Sequence, residues 1–560
     1  MRPWISLHKD ISLQVMGNKK PALRRLIYLG AAAVLLLVLG LAALWQSRVA
    51  LAERAIADAL AARGVAPVSF RVSMLGLRSI EIADLAIGPG EGSARQSPDV
   101  EAGQITVMYR LGELISGRVQ SIEISNLTAH ALVDEHGLSL GAASRLLEGG
   151  GGGAAGPLPA IHVDGARIEL ATPQGRFALD GSLDLSKPDA AAPVAISFPS
   201  LRLSDLAAPL RFEPVEFVGG GTLDGSKLGF SAVARSAAPG AGGAELAKLA
   251  GSYDLAGLKG AVRAQGALSF APAGLEPQTL LPVLKGLVAN VQGKANYEAE
   301  LSFASGGLRS SGRVVLSGIG FEAYSAKFGG LDGTVILDSL APPRSRGIQT
   351  LSVGLVEAGV PLKDGRVAFE IGRSGLPHLV SAAWPFADGR LSLASTSAGA
   401  DAFELTVENV DVASLLMLVD VPGLSGSGKL SGTIPVAIEN GNPIIRDGAL
   451  AAAAGGGVIV YKSAAADAAA GNEQTKLLTE ALKDFHYTEL KATLSGNANG
   501  ELQFRLHFKG SNPSLYGGYP IVLNVNLQGS LAELIRRGTV GFRPMELIRS
   551  EVAPTKKATP

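Results

Sequence analysis

Two stretches hold residues at spacings that enzymes use. Gly137 to Gly141, "GLSLG", fits the G-x-S-x-G elbow, in which a sharp strand-to-helix turn exposes a serine hydroxyl. The "AASRLLE" that follows can be written as a helix. A serine hydrolase also needs a base, and His162, His378, His486 and His507 stand in no recognisable motif. The surroundings lack the strand–helix alternation of an α/β-hydrolase, so "GLSLG" reads as a strand connection. Gly423 to Leu430, "GLSGSGKL", nearly fits the phosphate loop G-x-x-x-x-G-K-[ST], but Leu430 stands where the Mg²⁺-binding hydroxyl is required. The next residues, "SGTIPVAIE", alternate as a strand and offer no helix N-terminus to a phosphate. A glycine hairpin is the simpler reading.

The remaining polar chemistry is sparse. The seven histidines include no H-x-x-x-H or H-E-x-x-H arrangement, and the absence of cysteine excludes thiolate metal sites, disulfides and cysteine nucleophiles. "GSNPSLYGG" (Gly510 to Gly518) has the proline and paired glycines of a strand connection, so Asn512, Pro513, Gly517 and Gly518 read as structural. The sequence therefore predicts no catalytic residue, no metal and no cofactor.

With no chemistry in sight, the elements themselves carry the argument. The chain has 560 residues, 71 of them glycine, with 47% hydrophobic, 5% aromatic and 18% charged. That mixture suits many short strands joined by glycine turns and is too apolar for disorder. A formal net charge of zero lacks the basic footprint of a nucleic-acid binder. Residues 26–45, "LIYLGAAAVLLLVLGLAALW", carry no charge and would make about 30 Å of helix, enough for one membrane span. Arg2, Lys9, Lys19, Lys20, Arg24 and Arg25 precede it against only Asp10, which predicts a cytoplasmic N-terminus. Cleavage as a signal peptide is the competing reading, since Ala50-Leu51-Ala52 has the A-x-A form; that apolar core is long for a signal peptide.

Beyond the span, "RVALAERAIADALAARGV" continues as helix with Gly64 as its stop. Apolar and polar residues then alternate almost to the end. Val367, Phe369 and Ile371 do so, as do Phe403, Leu405 and Val407, then Ile434, Val436 and Ile438. Leu502, Phe504, Leu506 and Phe508 follow, then Ile521, Leu523, Val525 and Leu527, with Val522 the one apolar residue on the polar side. Two short helices interrupt: Pro277 to Val288, kept short by its prolines, and Asn472 to Phe485, whose Leu478, Ala481, Leu482 and Phe485 suit the end of a sheet. At about 13 residues per strand and turn, the chain holds on the order of 35 strands. The expected regions are a cytoplasmic N-terminus (1–25), the span (26–45), a first extracytoplasmic region (46–148), a Gly/Ala/Pro-rich β region (149–270), a long C-terminal β region (271–540) and a flexible tail (541–560).

The apolar faces have to go somewhere. Stacked β-sandwiches would bury them against each other, and one long curled sheet would line a trough with them. Alternation alone leaves both open. A propeller needs a repeat near 40 residues, and none is present.

Specific stretches resemble a known superfamily. "VSFRVSMLGLRSIEIADLAIG" and "VQSIEISNLTAHALVDEHGLSLGAASRLL" resemble the N-terminal part of AsmA-like proteins. "GIQTLSVGLVEAGVPLKDGRVAFEI", "GLSGSGKLSGTIPVAIENGNPIIRDGALAA" and "ALKDFHYTELKATLSGNANGELQFRLHFKGSNPSLYGGYPIVLNVNLQGSL" resemble the YdbH group more closely. The resemblance implies a mainly β fold: an inner-membrane helix, then a long curled antiparallel-rich sheet forming a hydrophobic groove across the periplasm. It implies non-enzymatic phospholipid transport between the inner and outer membranes, with a small outer-membrane lipoprotein meeting the C-terminal sheet edge. The groove candidates are then the residues named above from Val367 to Leu527 that alternate inward, Ile521 excepted. Two other readings stay open, a structural or assembly factor of the envelope built of sandwiches, and dicarboxylate transport, which would need several Arg or Lys on one inward face.

Overall fold

A computed structural model describes residues 47–529, except 89–96, 111, 113–117, 135–136, 145–157, 188, 190–191, 305–306, 324–325, 358–359, 397–401, 420–421, 440–441, 463–472 and 498–499. The expected span 26–45 and tail 541–560 fall outside these residues. No described helix is long and apolar enough to cross a membrane. The chain divides into two units, residues 1–130 with 139–165, and residues 131–138 with 166–560.

In the first unit a helix over 47–62 leads to β1 (Val68–Leu75), β2 (Ser79–Ile87), β3 (Val100–Met108) and the start of β4 (Ser121–Asp134), paired antiparallel in that order. Gly64 ends the helix at φ +74°, a left-handed conformation that favours glycine. The amides of Gly64 and Val65 close back on Ala61 and Leu60. Val65, Ile87 and Ala143 form the buried centre, with Leu60, Val68, Leu85 and Val100 around them. Glu53 ties the helix to the sheet by accepting the Val72 amide at 2.9 Å. The elbow candidate is a strand connection. Ser139 ends the short β5 (Gly137–Ser139) and accepts the Gly141 amide, and the backbone then enters a 3₁₀ turn over Gly141–Ala143.

After β6 (Leu158–Thr172), the second unit is a long open antiparallel sheet. Its strands are β7 (Gly175–Lys187), β8 (Val194–Asp205), β9 (Val215–Asp224), β10 (Lys227–Ser236), β11 (Glu245–Asp254), β12 (Lys259–Phe270), β13 (Ala289–Ala304), β14 (Gly307–Ala323) and β15 (Ala326–Leu340). They continue as β16 (Pro343–Ser345), β17 (Gln349–Glu357), β18 (Pro361–Ile371), β19 (Pro377–Phe386), β20 (Gly389–Ser395) and β21 (Ala402–Asp411). The last are β22 (Leu424–Gly426), β23 (Lys429–Glu439), β24 (Asn442–Ala452), β25 (Gly457–Tyr461), β26 (Phe485–Asn497), β27 (Leu502–Ser511) and β28 (Ile521–Gly529). From β7 to β15 each strand pairs with its successor. The short β16 hangs on β15, which also pairs with β17. The order then runs through β18, β19, β20, β21, β23, β24, β26, β27 and β28. A side branch places β25 between β22 and the start of β26.

The described residues form 28 strands, fewer than expected because many are long; β13, β14 and β15 have 16, 17 and 15 residues. The helical expectations shrink. Residues 277–288 make one helical turn, Pro277–Leu280, and one 3₁₀ turn, Pro282–Leu284, because each proline restarts the backbone. The second helix is Glu473–Leu482, and Phe485 already opens β26. A helix absent from the sequence reading, Val412–Val419, follows β21. The glycine hairpin expected at "GLSGSGKL" does not form, because β22 pairs with β25 while β23 pairs with β21 and β24. The stretch holds β22, then Gly428 at φ +124°, and Lys429 turns its ammonium to Asp411 at 3.7 Å.

Strict alternation breaks at bulges, and the breaks fall on residues that tolerate left-handed backbone. Asn409 (φ +52°) sits in the register shift between Val407 and Val410, and Asp447 (φ +53°) in that between Ile445 and Gly448. The extra residue swaps the phase, so Val407 and Val410, three apart, are both buried. A bulge thus keeps apolar side chains on one side where simple alternation would turn them over.

Candidate functional site

Directly opposed residues on neighbouring strands share a face, so the register can be followed across the sheet. One row runs Phe198, Gly219, Ala232, Leu249, Ala264, Ala299, Gly312 and Leu337, from β8 to β15. A second runs Leu268, Ala295, Leu316, Gly333, Leu351, Val367, Ala382, Leu393, Leu405 and Ile434, from β12 to β23. A third runs Trp384, Leu391, Val407, Gly432, Leu450, Ala492, Leu506 and Val525, from β19 to β28. No member is charged, none is polar apart from the indole nitrogen, and none is exposed. The rows overlap, so one face stays apolar from β8 to the last described strand.

The other face is polar. One residue along from the second row lie Asp332, Ser352, Arg366, Ala383, Ser392, Thr406 and Thr433. Beside the third row lie Ser431, Ala451, Lys491, His507 and Asn524. His507 Nδ1 is 2.8 Å from Asn524 Oδ1, a solvent-side pair. Val522, opposite Lys509 on this face, is 51% exposed.

Of the inward candidates, Val367, Leu405, Val407, Ile434, Leu506 and Val525 belong to the rows just traced. Phe369 and Ile371 stand opposite Leu379 and Pro377, Phe403 opposite Val436, and Ile438 opposite Pro443. Leu502 faces Gly496, Phe504 lies between Leu494 and Leu527, and Phe508 between Leu490 and Leu523. Their side chains cluster with register neighbours. Val407, Val410, Ile434, Ile445, Leu494 and Leu502 form one buried group, flanked by Leu405, Val436 and Phe504. All four aromatic candidates, Phe369, Phe403, Phe504 and Phe508, remain only partly buried. The sequence reading missed Val410, Trp384 and Ile445. The first and last lie beside bulges, and Trp384 stands in "SAAWPF", where small residues mask the period.

Two helices pack against part of this face. Val412, Leu430, Phe485, Tyr487 and Leu490 pack together, with Leu415, Leu416 and Leu482 from the two helices against them. The loop after β27 fastens the second helix. Asn512, 3% exposed, donates to the carbonyls of Glu480 and Ala481 at 2.9 and 3.3 Å and accepts the Ser514 amide. At the opposite end of the chain order, Asp205 holds Arg211, and the guanidinium lies 4.8 Å from the centre of the Phe177 ring.

Polar chemistry stays on the outer side. A depression of about 690 Å³ is lined in part by Lys248, Arg263, Arg313, Glu298 and Glu300, and Arg263 Nε is 3.5 Å from Glu300. Lys248, Arg263 and Arg313 alternate with the first apolar row and so lie on the polar face, whereas dicarboxylate transport would need such cations on the inward one. Among the described residues no His, Asp and Glu cluster could hold a metal ion.

A long antiparallel sheet with one continuous apolar face and one polar face defines a β-scaffold suited to long apolar ligands. The match to known families is more specific. Residues 35–232 and 158–553 match the YdbH-like family, described as intermembrane phospholipid transport protein YdbH, and the chain belongs to it. No curated protein and no solved structure matches the chain.

Proposed function

We propose that this protein carries phospholipid between the inner and outer membranes of the cell envelope, acyl chains lying along the apolar face and headgroups in water. The observation that supports this is the unbroken succession of apolar rows from β8 to β28. Withdrawing a chain from a bilayer costs about 0.8 kcal/mol per exposed CH₂, so a diacyl lipid with ~30 of them faces ~25 kcal/mol in open water. An apolar track offsets this only if it has no gaps. Exposing six CH₂ would cost ~5 kcal/mol and slow passage about a thousandfold. In the sandwich alternative the aromatic faces would be dry; here they are partly open.

The remaining parts of the proposal follow the family. Residues 26–45 anchor the chain in the inner membrane with the N-terminus in the cytoplasm and the bulk periplasmic, and residues 271–540 form the main groove. The groove candidates act collectively, without enzyme chemistry or cofactor. β28 pairs with β27 along one edge, and its other edge is where a small outer-membrane lipoprotein would add a strand.

The test is site-specific photocrosslinking in cells with radiolabelled phospholipid, with the photoreactive residue at Phe504 or at Arg505. Labelled adducts at Phe504 and none at Arg505 are expected. Silence at both, with the protein folded, would overturn the lipid-path reading in favour of a structural role.

A further inference from the structure

On the apolar face, glycine repeatedly stands beneath an aromatic ring of the next strand. Gly251 is opposite Phe230, Gly260 opposite Tyr253 and Gly266 opposite Tyr297. A β-carbon at those glycines would meet ring atoms at 2.6, 2.7 and 2.6 Å, so each ring lies down on the glycine backbone. Tyr297 is also pinned, its hydroxyl donating to the Leu246 carbonyl at 2.7 Å.

Trp384 has the same posture without the pin. A β-carbon at Gly365 would come within 2.0 Å of the indole Nε1, and the three nearest atoms are all indole atoms. No acceptor for that N–H lies within reach among the described residues. Packing alone holds the ring, in a group with Val353, Val356 and Ala382. One added methyl at 365 therefore meets the indole before any other group, and lifting the ring off the sheet makes room for it.

We propose that Gly365 and Trp384 set the clearance above β18 and β19 through which a phospholipid acyl chain passes; this rests on the lipid-path reading above. Glycine keeps the indole flat, and a larger residue stands it up in the track. The competing account is that the ring covers the glycine only to stabilise the sheet. The two differ in what happens when the ring is then removed. If the ring only stabilises, trimming it relieves the clash of Gly365→Ala and adducts return only together with the melting temperature. If it obstructs, adducts return without any recovery of the melting temperature.

The experiment uses the full-length chain in cells with radiolabelled phospholipid, with a photoreactive residue at Leu301 on β13 or Phe504 on β27, either side of the pair. Gly365→Ala is expected to cut adducts about tenfold on one side of the pair and not on the other. Gly365→Ala with Trp384→Leu is expected to restore them, while its melting temperature stays at or below that of the single variant. Adducts unchanged in Gly365→Ala would overturn the proposal, as would equal loss in the single and double variants. Absence of adducts at both positions in the unsubstituted chain would overturn the lipid path itself, and this proposal with it.

Discussion

Asp205 and Arg211 are joined three times over. The Arg211 amide and Nε donate to Oδ2 at 2.8 and 2.9 Å, and Nη2 donates to Oδ1 at 2.5 Å. Asp205 itself is 5% exposed. The guanidinium holds its carboxyl pKa down at about 2, against burial acting the other way. A depressed carboxylate stabilises the fold above its unfolded value near 3.8, and that contribution fades as pH falls toward 2. Melting of the purified protein should therefore drop between pH 4 and pH 2, and Asp205→Asn should flatten that part of the profile. At pH 7, Arg211→Ala should cost about 2 to 3 kcal/mol by leaving a buried carboxylate short of partners.

A charge on either face should have opposite consequences. Val525→Glu places a carboxylate in the third apolar row, and lipid adducts at Phe504 should fall about tenfold or more. Asn526→Glu, its sequence neighbour on the polar face, should leave them unchanged. Equal loss in both would mean that the face does not matter.

Tyr487 donates its hydroxyl to the Ser427 carbonyl at 2.7 Å and is 2% exposed. Tyr487→Phe keeps the packing with Phe485 and Phe508 and removes only that bond. Denaturant unfolding should register a loss of about 1 kcal/mol. A larger loss would point to rearrangement of the β22–β25–β26 branch.

Asn512→Ala should free the C-terminal end of helix Glu473–Leu482, since its amide caps two carbonyls there. Hydrogen exchange in that helix should speed up while β26 and β27 keep their protection. Val522→Thr, by contrast, should change stability by less than about 0.5 kcal/mol, because the side chain already lies in solvent.

Much of the architecture was readable from alternation, because a strand with one wet face must place residues such as Phe504 and Arg505 on opposite sides. Two of the short helices were also readable, since proline acts locally, whereas Val412–Val419 was not. Other features depend on register, which a single strand does not encode. Val410 looks out of phase until Asn409 is seen to be a bulge. Trp384 and Gly365 are 19 positions apart and meet only because Ala383 pairs with Arg366. The continuity of the apolar track is likewise a property of the pairs. No run of sequence contains Leu351, Val367, Ala382 and Leu393 side by side.

The order of pairing also bears on how such a chain is made. Nearly every strand from β7 onward finds its partner in the strand just completed, and the side branch at β22 is the main one that waits. Loop closure is then a short-range affair repeated many times, which keeps contact order low for so large a β protein. The sheet can zip up from its N-terminal end as the polypeptide emerges, and apart from the waiting β22 a single growing edge stands open to the wrong neighbour.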